Sequence, residues 1–349
     1  MIAARRMSIG IDLGGTSLRI GLFDSAVFDN GMALLDSHSL RTRVEDGPEA
    51  VISDMAECIR RMVDAQPGRL SVDGIGIGSP GPLNLELGTL GKLPNFPGWD
   101  GFPLRDRLSE VTGIPVVLEC DANAAAVAEW KLGAGRKAQV DSLAMITLGT
   151  GVGSGLILHG RVWHGMVGMG GEVGHVCIDR NGPQCGCGSR GCLEQYASAN
   201  GLLRLAREQA ETGESSEALK KLTSRPGGFT PLEVALLAER GDLSALQSFR
   251  ELGFYLGLGL AGLINTLDLP LIIIGGGVAS AWKLFSPSMF EKIRDYSFVY
   301  RLGEPTQIEK MEKNRIFIRP AELGPAAGLL GAALLPSLSR PLHQVEATT

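Results

Sequence analysis

One histidine and three cysteines fall within eighteen residues: His175, nine intervening residues, then Cys185, Cys187 and Cys192 in a run rich in glycine. Thiolates and imidazoles are zinc ligands, and glycines free the backbone to wrap a small ion, so this spacing predicts a closed tetrahedral Cys3His zinc site. With every position filled by protein, no place remains for a reactive water, and the metal is expected to be structural. Glu172 and Glu194 flank the cluster. A metal-held His175 presents its second ring nitrogen in a fixed direction, and carboxylates beside a fixed imidazole suit a polyhydroxyl ligand.

A second set of residues suits phosphate. Asp12-Leu13-Gly14-Gly15-Thr16 puts a carboxylate at a strand end beside two glycines and a hydroxyl. Glycine turns let backbone N–H groups approach phosphate oxygens, and an Asp there can hold Mg²⁺ through its water shell. Gly149-Thr150-Gly151-Val152-Gly153 repeats the pattern, but without the Gly-Lys-Ser/Thr ending of a P-loop and without opening onto a helix. Gly275-Gly276-Gly277 follows an apolar strand, where missing side chains would admit a flat ring; a tight turn is the competing explanation. Asp121 lies between a strand and an alanine-rich helix. Taken by itself that position reads first as a helix N-cap; the other reading is a base that orients a hydroxyl for phosphoryl transfer.

The elements that must position these groups follow from periodicity. Residues 8–12 and 18–23 predict a hairpin around Gly14-Gly15, and 143–148 with 155–158 predict a second one around the Gly149 loop. Helical spacing covers 48–65, 122–132, 198–212, 231–240, 243–267 and about 325–335; strands are expected at 72–77, 115–119, 271–274 and 315–318. Two hairpins of one kind, each feeding α/β elements, point to a duplicated domain with a nucleotide cleft between the halves. The 349 residues exceed one ordinary core and suit two.

Composition removes other classes. Charged residues make up 20% and the net charge is −5, with no basic run to track a phosphate backbone, so nucleic acid is not an expected partner. The most apolar stretch, 252–278, is broken by Asn265, Asp268 and Pro270, short of the ~18 uninterrupted apolar residues of a membrane span. The first residues lack the apolar core of a signal peptide, which predicts a cytoplasmic protein, and clustered thiols in a reducing compartment favour metal over disulfides.

Together, Asp12 to Thr16, Asp121-Ala122-Asn123, Leu148 to Gly153, Glu172 to His175 and Cys185 to Glu194 resemble the ROK (repressor, open reading frame, kinase) family of sugar kinases, over nearly the whole chain from Ile9 to about Leu335. The resemblance implies an actin-like, hexokinase-like (ribonuclease H-like) duplicated α/β fold with a nucleotide and sugar cleft. It implies MgATP as donor and a hexose as acceptor, usually at carbon 6. Asp121 would be the base; Asp12, Gly14, Gly15, Thr16, Gly149, Thr150, Gly151, Gly275 and Gly276 would serve the nucleotide and its metal. Gly81, Asn95, Glu172, His175 and Glu194 would bind the sugar, and His175, Cys185, Cys187 and Cys192 the zinc. A small domain of 1–121 plus 322–338, a large domain of 122–321 carrying the dimer surface, a flexible tail at 339–349 and a homodimer or larger assembly are further expectations.

Two departures from the family pattern stand out. Ser17 occupies a position where many members carry Lys, and Cys120 one where a sugar-contacting Asn is common. A thiol is a weak hydrogen-bond partner, which loosens the hold on one hydroxyl. Glucose is the first sugar expected, with N-acetylmannosamine, N-acetylglucosamine and other hexoses as alternatives. A sugar-responsive repressor is a further reading, disfavoured by Asp12 and Asp121 and by a first strand that begins near Ser8, ahead of which a helix-turn-helix is not expected.

Overall fold

The computed structural model describes residues 5–25, 33–68, 70–93, 95–307 and 310–338; the expected tail at 339–349 lies outside them. The chain opens with β1 (Arg5–Leu13), β2 (Ser17–Asp24) and β3 (Ala33–Arg41), then α1 (Pro48–Asp64) and β4 (Leu70–Ser79). A small hairpin, β5 (Leu83–Asn84) and β6 (Thr89–Leu90), precedes α2 (Leu104–Thr112), β7 (Val116–Cys120), α3 (Asp121–Lys131) and α4 (Ala134–Ala138). Next come β8 (Leu143–Leu148), β9 (Val152–Leu158) and β10 (Arg161–Val162). Helices α5 (Glu194–Ala197), α6 (Ala199–Ala210), α7 (Glu217–Thr223), α8 (Pro231–Glu239) and α9 (Leu243–Leu267) lead to β11 (Leu271–Gly275). The chain ends with α10 (Trp282–Tyr296), α11 (Phe298–Gly303), β12 (Phe317–Pro320) and α12 (Ala327–Leu338).

The two five-stranded sheets share one topology. Their orders are β3-β2-β1-β4-β7 and β10-β9-β8-β11-β12, so each sheet has an antiparallel three-strand meander followed by two further strands. In both, those last strands run parallel to the first strand of the meander or to each other. The echo between the glycine hairpins in the sequence is thus a duplication of the whole sheet.

In the first sheet, Met7, Ile9, Ile11 and Leu13 alternate along β1 and join a core with Val51, Ile52, Met55, Ile59 and Met62 of α1. The opposite face takes α12. Helix and strand lie so close that a Cβ at Gly10 would sit 2.3 Å from the Leu329 carbonyl oxygen, and one at Gly76 1.8 Å from that of Ala332. Small residues on this face therefore reflect contact geometry. The helix continues through Pro336, which packs against Gly74, and so runs three residues past the expected end at 335.

By internal contacts the chain forms two units: Met1–Asp141 with Gly155–Gly171 and Glu322–Thr349, and Ser142–Ser154 with Glu172–Ala321. Residues 122–141 and 155–171, assigned from sequence to the larger domain, thus group with the first unit. The last strand is displaced too: β12 begins at Phe317 because the backbone N–H of Ile316 bonds to Gly303 O, outside the sheet, at 2.8 Å. Among the described residues no helix is long and apolar enough to cross a membrane.

Candidate functional site

In the first unit, β1 delivers Asp12 directly before the Gly14-Gly15 turn. Asp12 and Arg19 are cross-strand partners, and the Arg19 guanidinium donates to the Asp12 carboxylate. The start of α12 lies against that carboxylate: a Cβ at Gly328 would be 3.3 Å from Asp12 Oδ2. Buried Thr42 closes the turn, its hydroxyl donating to Gly14 O at 2.6 Å and its N–H to Thr16 O at 3.0 Å. Neither Arg19 nor Thr42 was singled out from the sequence. Arg19 lies just past the motif and Thr42 far along the chain after β3, and only the strand pairing reveals them.

Asn95 is exposed, on a segment anchored by buried Phe96 and Trp99, whose rings meet edge to face at 5.1 Å. Each buried aromatic contributes about 1.5–3 kcal/mol to holding such a segment in place. Gly15 lies against Asn95, with a Cβ there only 3.0 Å from the Asn95 Cβ. One predicted phosphate residue and one predicted sugar residue are therefore neighbours. Gly81 faces Met169: a Cβ added there would lie 4.0 Å from Met169 Cε.

Asp121 is exposed at the first turn of α3, directly after β7. The sequence offered it as an N-cap; the structure instead puts Cys120 at the cap, with no side-chain capping bond, and Asp121 at the first helical position. Its Oδ1 accepts from the adjacent Ala122 N–H at 2.7 Å, and the Cys120 thiol lies 3.5 Å from the same oxygen. Ahead of it, buried Glu119 accepts from Cys120 N at 2.8 Å, Asn123 Nδ2 at 2.9 Å and His164 Nε2 at 2.6 Å. The Glu119 carboxylate holds the His164 imidazole pKa above its usual value, against the opposing effect of burial. Sequence reasoning missed this pair because its members are 45 residues apart.

In the second unit, the ligand atoms of His175, Cys185, Cys187 and Cys192 all lie within 4.8 Å of one another. Cys187 Sγ is 3.7 Å from Cys192 Sγ, and Cys185 Sγ is 3.7 Å from His175 Nδ1. Zn–S bonds of about 2.3 Å place the sulfurs of a tetrahedral site about 3.8 Å apart, so the donor set fits that ion. Nδ1 faces the sulfurs, which leaves Nε2 for another partner. Burial pushes the Cys192 thiol up to about 12 and also raises Cys185, while backbone N–H donation to sulfur lowers Cys187. A bound cation would deprotonate all three.

Backbone bonds fold the ligand loop on itself: Cys185 N to Ser189 O at 2.9 Å, Ile178 N to Gly191 O at 2.8 Å and Leu193 N to Val176 O at 2.9 Å. Tyr196 stacks on Tyr255 with centroids 3.8 Å apart and donates to Asp179 Oδ2 at 2.8 Å, tying the loop to α9. Glu194 lies between two sites. Its Oε1 is 3.7 Å from Cys185 Sγ, and its Oε2 accepts from Val152 N, in the Gly149 loop, at 3.1 Å. Glu172 stays open to solvent, yet packing around its carboxyl raises the pKa; His175 opposes the rise and the Glu194 charge adds to it.

The Gly149-Thr150-Gly151 turn is closed by Gly149 N donating to Gly151 O at 3.0 Å, and Gly149 O accepts from Ala199 N, at the start of α6, at 2.8 Å. For the triple glycine, the two explanations divide by residue. Gly276 has φ +87° and a Cβ there would sit 2.5 Å from Leu148 O, so the turn itself demands glycine. At Gly277 nothing lies within 4 Å, and the turn makes no such demand.

The ROK family profile matches residues 8–337, and the chain belongs to the ROK family. A glucokinase from Thermotoga maritima is 39% identical over 288 residues, covering 82% of this chain and 87% of that protein. The structure of a ROK family glucokinase from Streptomyces griseus, in complex with glucose and AMPPNP, superposes with TM-score 0.73 at 32% identity, covering 94% of this chain and 98% of that one. The xylose repressor of Bacillus subtilis is 30% identical over 93% of this chain and 75% of its own length. The fold is that of the ROK hexokinases, mixed α/β with two five-stranded sheets of one strand order.

Proposed function

We propose that this chain is an ATP-dependent hexose kinase whose principal substrate is glucose, phosphorylated at the 6-hydroxyl. The observation that carries this reading is the exposed Asp121 carboxylate, presented at the first turn of α3 and braced from behind by Glu119. Asp121 orients the attacking hydroxyl and takes its proton as the phosphoryl group departs from ATP. The transition state is loose, so positioning matters more than strong basicity. Asp12 would hold the nucleotide's Mg²⁺, which neutralises charge on the phosphates. Gly14, Gly15 and Thr16, with Gly149, Thr150 and Gly151, supply phosphate-facing backbone. Gly275 and Gly276 border the base, and the open space at Gly277 suits the same ring.

Asn95, the Gly81 backbone, Glu172, Glu194 and His175 Nε2 serve the sugar hydroxyls. His175 Nδ1, Cys185, Cys187 and Cys192 would hold a structural zinc that fixes the imidazole and the loop leading to Glu194. We place the protein in the cytoplasm, where ATP and reduced thiols are available, as a homodimer or larger homo-oligomer. The test is ADP release with a panel of hexoses: glucose is expected to give the highest kcat/KM, and absence of turnover with every hexose would end the kinase reading.

The likeness to xylose repressors supplies the second reading, a sugar sensor without chemistry. Retention of Asp12 and Asp121 favours the kinase. Sugar binding without ADP release, with DNA retained in a mobility shift, would favour the sensor.

A further inference from the structure

Glu119 divides its two carboxylate oxygens between two segments of the first unit. Oε1 accepts from Cys120 N at 2.8 Å and Asn123 Nδ2 at 2.9 Å, the residues on either side of Asp121 and Ala122. Oε2 meets His164 Nε2 at 2.6 Å. A carboxylate only accepts, so Nε2 carries the proton. Glu119 is 5% exposed and Asn123 also 5%, so neither group can exchange these bonds freely for water.

His164 opens a loop, 164–171, that its own carbonyl closes by accepting from Gly170 N at 2.8 Å. The far side of that loop has little apolar anchorage: Met166 is 100% exposed and Val167 76%. Met169 nevertheless reaches Gly81, in the segment assigned to sugar binding. The bond to Glu119 thus ties this loop to the turn bearing the base.

We propose that Glu119 and His164 are positioning residues for phosphoryl transfer, a carboxylate–imidazole strut that locks loop 164–171 to the Cys120–Asn123 turn and so holds Asp121 in register with the sugar hydroxyl. This rests on the kinase reading above. Neither residue touches substrate; both act through Asp121 and the loop. Displacement of a reacting group by about 1 Å costs up to about 100-fold in rate. Loss of the strut therefore falls on turnover and on sugar affinity, and leaves nucleotide affinity alone.

The experiment compares His164→Phe, His164→Gln and Asp121→Asn in the full chain by steady-state kinetics with glucose and ATP, alongside thermal melts. His164→Phe fills the space without a donor and is expected to lower kcat by about 10- to 100-fold and raise the glucose KM, with the ATP KM within about 2-fold of wild type. His164→Gln restores an N–H donor and is expected to recover most of kcat even where its melting temperature matches that of the Phe variant. That rescue at equal stability is what a purely structural histidine would not give. Wild-type kcat in His164→Phe, or equal losses in both variants that track stability, overturns the strut. If Asp121→Asn is inactive while His164→Phe is normal, only the strut falls; if Asp121→Asn is active, the base role of Asp121 and the strut fall together, whereas absence of turnover in the wild type ends the kinase reading.

Discussion

The turn carrying Asp121 and the loop carrying His175 solve one problem by different means. Each must hold polar side chains still at the surface of its unit. The Asp121 turn is braced from behind by a buried carboxylate that satisfies two N–H donors and an imidazole, on a helix start packed into the sheet. The His175 loop is held by short backbone pairings and by Tyr196, which stacks on Tyr255 and donates to Asp179, and its four sulfur and nitrogen donors converge on a point. Hydrogen bonds from a buried carboxylate brace the first, and a metal on the four converging donors would brace the second.

The sharpest way to break this comparison is at Asp121. Asp121→Asn keeps the shape of the turn and removes the proton acceptor, so kcat is expected to fall by about 10²- to 10⁴-fold with glucose binding retained by calorimetry. Loss of binding along with turnover would make Asp121 a structural group. At the other loop, Cys187→Ser removes one of four donors. Metal analysis is expected to show about one zinc per chain in the wild type and far less in the variant, with glucose affinity reduced about 10-fold or more. A zinc-free wild type would leave the loop held by its backbone pairings and Tyr196 alone.

A smaller effect is expected at Cys120, whose thiol lies beside the Asp121 carboxylate. Cys120→Asn gains a firm hydrogen-bond partner there and is expected to change the ratio of kcat/KM between glucose and other hexoses by about 10-fold, measured on the same sugar panel. An unchanged ratio would remove Cys120 from the sugar's surroundings.

The smallest effect concerns pH. Glu119 raises the His164 pKa above its unfolded value near 6.5. The sign follows: the charged pair's stabilisation is fully present below about pH 6.5 and is lost as pH rises through the raised folded value. Partial exposure of His164 keeps the contribution small. Thermal melts across that range are expected to show this slope in the wild type and not in His164→Phe. The same slope in both would show that the pair does not titrate as a unit.

The same contrast explains what the sequence disclosed. Ligands that share a small loop sit close in the chain, so His175 and the three cysteines were legible from spacing, as were the two glycine hairpins and the long helix α9. The strut was not, because sheet topology alone brings Glu119 to His164. β3 escaped notice because its mostly exposed residues lack clean alternation, and α10 because Pro287 interrupts its pattern. Asp121 was legible as a candidate base, and it is the competing cap reading that the structure removes, since Cys120 holds the cap position and the Asp121 carboxylate accepts from its own neighbour, Ala122.

The central claim is that this chain moves a phosphoryl group from ATP to glucose with Asp121 as base. Phosphorus NMR of glucose and ATP incubated with wild type and with Asp121→Asn tests it directly. The account predicts glucose 6-phosphate and ADP from the wild type and almost none from the variant. No sugar phosphate from the wild type, or equal amounts from both, would contradict it.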